Sequence, residues 1–119
     1  MQTGPQLEIS VERRGAAAVV GVRGEIDMAT SAQLREALSA ALAGTPDTVA
    51  VNLSEVAFIS SSGLRELIVS RDQASDQGVR FILSNTPQAV RRVLDLTETT
   101  RLFVLASSVE SALNGPDQH

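Results

Sequence analysis

The feature that most limits how this chain can fold is a change of apolar period that repeats along it. Two-residue alternation gives way to helical spacing and then returns, several times over. "LEISVE" places Leu7, Ile9 and Val11 on one face, as a half-buried strand requires. A turn near Gly15 leads into a second strand through Val19, Val20 and Val22, and so short a connection predicts an antiparallel pair. "GEID" closes that strand. In "MATSAQLREALSAALAG", Leu34, Ala37, Leu38, Ala41 and Leu42 then repeat at helical spacing. Thr30 or Ser31 can cap this helix, and Gly44 with Pro46 stops it. "TVAVNL" is a third strand, with Val49, Val51 and Leu53 alternating.

After "SEVAFIS" the helical period comes back, with Leu64, Leu67 and Ile68 in one stripe and Gly78 as the stop. "VRFIL" reads as a buried strand. "NTPQAVRRVLDL" reads as a helix with Pro87 near its start and Val90, Val93 and Leu94 on one face. "RLFVLA" is a fifth strand, and "SSVESAL" a closing helix in which Ser107 and Glu110 have capping-box spacing. Strand–helix–strand alternation favours parallel pairing through right-handed crossovers. The expected fold is α/β, a mixed sheet of four to five strands with about four helices. The tail "NGPDQH" reads as disordered.

Composition narrows the function. A chain of 119 residues is one domain and buries enough surface to fold without a metal or a disulfide. It has no cysteine, which removes thiol catalysis and thiolate metal sites. All ten basic residues are arginine and the net charge is −4, so neither a P-loop lysine nor a basic nucleic-acid face is available. Three Phe, with no Trp or Tyr, offer no base-stacking platform. The first residues lack a secretion signal and no apolar run is long enough for a bilayer. The expectation is a cytosolic protein with no nucleic-acid or membrane partner.

The segment that remains is "FISSSGLRELIVS", which begins at Phe58. Ser60, Ser61 and Ser62 fall where the third strand hands over to the second helix, at the edge where open α/β sheets meet ligands and partners. One hydroxyl suffices for a helix cap, with Gly63 merely tolerated in the first turn. Three hydroxyls also suit a modification site. A phosphate at a helix N-terminus meets unpaired N–H donors and a favourable dipole. Gly63 would then let another chain approach the backbone.

Catalysis is disfavoured. Ser61 has Gly63 two places later, half of a nucleophile elbow, but Ile59 stands where the first glycine belongs. The only histidine, His119, is the last residue, so no Ser-His-acid triad can be assembled around a credible base. Glu25 and Asp27 form a close carboxylate pair. Alone they read as a solvated strand-to-helix loop, with Asp27 favouring the next helix's positive end. No cofactor or metal is expected.

Three stretches together resemble a known family. "RGEIDMATSAQLREAL", "VAVNLSEVAFISSSGLRELI" and "NTPQAVRRVLDLTETTRLFVLASSVESAL" are similar, in order and spacing, to the STAS domain, and within it to the single-domain bacterial anti-sigma factor antagonists. The resemblance implies a STAS domain over 7–113 between flexible tails at 1–6 and 114–119. It places the family's phosphorylated residue on Ser61, with Ser60 and Ser62 as alternatives. It also implies a partner-binding surface of Glu25, Asp27, Ser60, Ser62, Gly63, Leu64 and Arg65. The family's Asp before the phosphorylated serine is replaced here by Ser60. The implied mechanism is partner switching. The unphosphorylated protein binds an anti-sigma factor that is itself a serine kinase, freeing a sigma factor. Phosphorylation breaks that complex and a PP2C-type phosphatase restores it. Two other readings are a non-switching STAS scaffold or transporter-associated subunit and a small serine hydrolase.

Overall fold

The computed structural model describes residues 7–114. The expected tails at 1–6 and 114–119 lie outside the described residues, apart from Asn114. Asn114 is the C-cap that follows the last helix.

The chain runs β1 (Glu8–Arg14), β2 (Ala17–Ile26), α1 (Ser31–Ala43), β3 (Thr48–Ile59), α2 (Ser61–Gln77), β4 (Arg80–Ser84) and α3 (Gln88–Leu96). A single 3-10 turn, Thr100–Leu102, then precedes β5 (Val104–Ala106) and α4 (Val109–Leu113). The five strands lie in chain order across one sheet. β1 is antiparallel to β2, and every later neighbour is parallel, as the helical crossovers require. The α/β class, the strand count and the four helices match the expectation.

Alternation decides what each sheet face touches. Val20 and Val22 of β2, Val49 and Val51 of β3 and Leu83 of β4 share the main core with Leu34, Leu38, Leu67, Val90 and Leu94. α1, α2 and α3 therefore cover one face. Ala50, Ile82, Ala106 and Ala112 form a small second cluster under α4 on the other. Over β1 and β2 that second face carries Glu8, Ser10 and Arg23 instead, all exposed.

Four local readings change. β3 does not stop at Leu53 but continues to Ile59. Its pairing with β2 shifts between Gly21 and Arg23 and again between Gly24 and Glu25, each time inserting an extra β3 residue. Two bulges turn the buried rhythm from every second to every third residue, Leu53, Val56 and Ile59, which hides the strand from a two-residue pattern. "RLFVLA" yields only three strand residues because its first part winds into the 3-10 turn. Ser108, not Ser107, caps α4, accepting from the Ser111 N–H at 3.0 Å. Thr30 sits at the N-cap position of α1, yet its hydroxyl turns back toward β2 rather than into the helix.

Candidate functional site

Parallel pairing of β2 with β3 sets the site. Glu25 lies opposite Phe58 and Ile26 opposite Ile59, so the two strands end side by side. The Ser60 N–H then donates to the Ile26 carbonyl at 2.8 Å. "GEID" and "SSSG", far apart in sequence, thus become one edge at the carboxyl ends of the sheet. The residues singled out from sequence are brought together here.

The three hydroxyls are not equivalent. Ser60 is extended and is the N-cap of α2, its Oγ accepting from the Gly63 N–H at 3.3 Å. The Ser62 Oγ lies 3.3 Å from the Ser60 Oγ, within hydrogen-bond reach, and both residues are half-buried. Ser61 is exposed, and among the described residues its hydroxyl has no partner. Ser61 and Ser62 occupy the first two helical positions, whose N–H groups have no acceptor inside the helix. One hydroxyl thus stands in solvent beside unclaimed donors.

Gly63 has a different task from the one its sequence suggested. It is buried, and a Cβ there would collide with Ile26 Cγ2 and lie 3.0 Å from Ile59 Cγ1. The missing side chain lets α2 settle onto the ends of β2 and β3; it is no opening for a second chain. Leu64 is also buried, at 5% exposure, and meets solvent only along the wall of a groove. Arg65 is exposed beside it.

The carboxylates separate as well. Asp27 is half-buried, and its Oδ1 accepts from the Ala29 N–H at 2.9 Å, the Thr30 N–H at 3.1 Å and the Thr30 hydroxyl at 3.2 Å. The buried Thr30 hydroxyl lies 2.9 Å from both the Asp27 N–H and the Glu25 carbonyl. Asp27 closes the turn into α1, so it is built into the scaffold rather than held out as a loop charge. Glu25 is exposed, with no ion-pair partner among the described residues. Of the acidic pair, Glu25 is the one offered to solvent.

Apolar side chains are exposed on the segments that meet at the turn, and the sequence reading missed them. Met28 is 80% exposed, Val69 48% and Phe58 47%, three of the six large exposed hydrophobic residues among those described. Val69 and Ile68 line a shallow groove of about 520 Å³ together with Ser61, Ser62, Leu64 and Arg65. The signal for Phe58 was the every-third burial of β3, which leaves it outside. A second depression, about 420 Å³, lies on the same face as α4, over β1 and β2, among Glu8, Ser10, Arg23 and Asn52. It is spanned by the Arg23–Glu8 and Arg23–Glu55 ion pairs, is far more polar, and is away from the turn. Among the described residues no acidic, histidine or cysteine cluster could hold a metal.

Comparison with known proteins places this geometry. Residues 8–112 match the STAS domain family. The anti-sigma-F factor antagonist RsfB of Mycobacterium tuberculosis is 30% identical over 115 residues, covering 97% of this chain and 93% of that protein. The crystal structure of an anti-sigma factor antagonist from Mycobacterium paratuberculosis superposes with a TM-score of 0.84 at 31% identity, covering 92% and 93% of the two chains. The Bacillus cell fate determinant SpoIIAA in its phosphorylated form shares the fold at a TM-score of 0.70 and 22% identity, over 90% and 97% of the chains. A family match over residues 8–112, relatives at this identity and a common architecture make the chain a member of the STAS domain family.

Proposed function

We propose that this protein is an anti-sigma factor antagonist that works by partner switching, with Ser61 as the switch. The observation that carries the reading is the inequality of the three serines: Ser61 alone is exposed with an unengaged hydroxyl, while Ser60 and Ser62 are half-buried and within reach of each other. Unmodified, the turn, Glu25, Arg65 and the apolar surface of Met28, Phe58 and Val69 form the face that captures an anti-sigma factor with serine kinase activity. That capture frees a sigma factor. The kinase then transfers phosphate from ATP to Ser61, and a PP2C-type phosphatase removes it.

The physical account is one of placement. Phosphoserine adds roughly −1.5 to −2 charges at neutral pH. The N–H groups of the first turn of α2 and the helix dipole absorb that charge, so the fold survives. Sharing its fold with the phosphorylated form of SpoIIAA supports this. The captured partner has no such compensation. A desolvated, unmatched charge at a tight contact costs a few kcal/mol, or about a hundredfold or more in affinity. Ser60, where the family has Asp, supplies the cap as a neutral hydroxyl, so the turn keeps its geometry without a carboxylate beside the phosphate.

The STAS family match and relatives named as anti-sigma factor antagonists support a binding protein over an enzyme. Binding by the bacterium's anti-sigma factor kinases, measured by calorimetry, tests the reading. Ser61→Ala should bind as the parent does and resist release by ATP. Ser61→Glu should lose about a hundredfold in affinity with an unchanged melting temperature. Parent-like binding by both variants would turn the reading to a non-switching scaffold.

A further inference from the structure

We infer that the outer edge of β1 pairs with the same edge of a second copy of this chain, antiparallel, about a two-fold axis at Val11. β1 is the end strand of the sheet, bonded on one side to β2 and on the other to no strand among the described residues. Six of its seven residues are exposed. Val11, at its midpoint, is a large apolar residue 38% exposed. Such an edge is a template for another strand unless something blocks it.

Charge chooses the partner and the register. Glu8, Ser10, Glu12 and Arg14 share one face of β1, and Ile9, Val11 and Arg13 the other. With the axis at Val11, Glu8 of each copy lies opposite Arg14 of the other, Ser10 opposite Glu12, and Val11 opposite itself. Cross-strand pairs of opposite sign and of branched apolar residues both stabilise a sheet. Moving the axis to Ser10 sets Glu8 against Glu12, and moving it to Glu12 sets that residue against itself. Both place like charges together. The opposite edge, β5, has three residues and no charge, and offers no comparable match.

The groups involved are free to take part. Among the described residues, Glu8 is held only by Arg23 at 3.4 Å and Arg14 only by Glu12 at 3.5 Å, all four well exposed. Exposed pairs of this kind hold weakly. Arg13 stands aside, since its guanidinium donates to the Ala40 and Ala41 carbonyls at the end of α1, at 2.9 and 3.0 Å. The Ser61 turn lies at the end of β3, two strands in from this edge, so pairing leaves both turns open. A strand pair of this length is a small interface of the transient kind, so dissociation on the order of 0.1 mM is expected.

Sedimentation velocity of the purified chain from about 10 µM to 1 mM tests the pairing. The parent should shift toward dimer at low salt and less so at 0.5 M salt, where the charges are screened. Glu8→Arg and Arg14→Glu should each weaken self-association about tenfold, because each sets like charges face to face. An equimolar mixture of the two variants should associate again, since every facing end pair then joins one cation and one anion. A parent that stays monomeric throughout the range overturns the inference, as does a dimer that both variants form as readily as the parent.

Discussion

Two helix entries stand side by side at the carboxyl ends of β2 and β3, and they are built differently. The entry to α1 rests on a charged residue. Asp27 Oδ1 gathers two backbone N–H groups and the Thr30 hydroxyl, and Thr30 is buried behind it. The entry to α2 rests on a neutral one, a single Ser60 hydroxyl reaching the Gly63 N–H at 3.3 Å. The first turn is closed and has spent its carboxylate on its own backbone. The second keeps unclaimed donors and an exposed Ser61. The first connection has four residues and the second only Ser60, and they differ in how many partners each side chain already has, so that only the second suits the proposed switch.

The largest test of that contrast is Gly63→Ala. Ile26 is fully buried and β-branched, so it cannot swing away from a new methyl group. Overpacking costs about 1–3 kcal/mol, against a helix-propensity gain of at most about 1 kcal/mol. A net loss of about 2 kcal/mol in urea unfolding is expected; a stabilised variant would mean that α2 does not seat on the strand ends as described.

Asp27→Ala should come next, costing about 1 kcal/mol, the usual worth of a side chain that closes a helix entry. Asp27→Asn keeps an acceptor in place and should lose less than about 0.5 kcal/mol. If the two variants unfold alike, the Asp27 hydrogen bonds are not what holds the turn. Glu25→Gln, by contrast, should leave stability within about 0.5 kcal/mol, because its side chain is exposed. Its effect should be on partner capture.

Ser60→Ala removes the cap of α2 at a cost of about 0.5–1 kcal/mol, at the low end because the bond is long. Ser61→Ala should be smaller still, within about 0.5 kcal/mol. A Ser61→Ala loss equal to that of Ser60→Ala would show the two hydroxyls to be interchangeable and the contrast between them empty.

Much of this was legible in the sequence. The alternating periods of Val49 to Leu53 and of Leu34 to Leu42 identified strand and helix because each face meets one environment throughout. The serine turn was legible for the same reason, as the point where one period yields to the other. What stayed hidden depends on neighbours across the sheet. The two β3 bulges follow from pairing with β2, which no local pattern of "SEVAFI" reveals. Gly63 is small because Ile26, 37 residues earlier, fills the space beside it. Asp27 looked like a loose acid because its partners are backbone N–H groups, which every sequence contains and none displays. Nothing in the residue types of Met28 and Phe58 marks them as exposed; the fold shows them outside.

The most direct test of the central claim is to incubate the protein with the proposed anti-sigma factor kinase and ATP, map the phosphate by peptide mass spectrometry, and follow the complex on a sizing column. The account predicts one phosphate, on Ser61, release of the kinase as it forms, and an unchanged circular dichroism spectrum. Phosphate on Ser60 or Ser62 would contradict the ranking of the three hydroxyls, and no phosphate on any of them, with the complex intact, would contradict the switch.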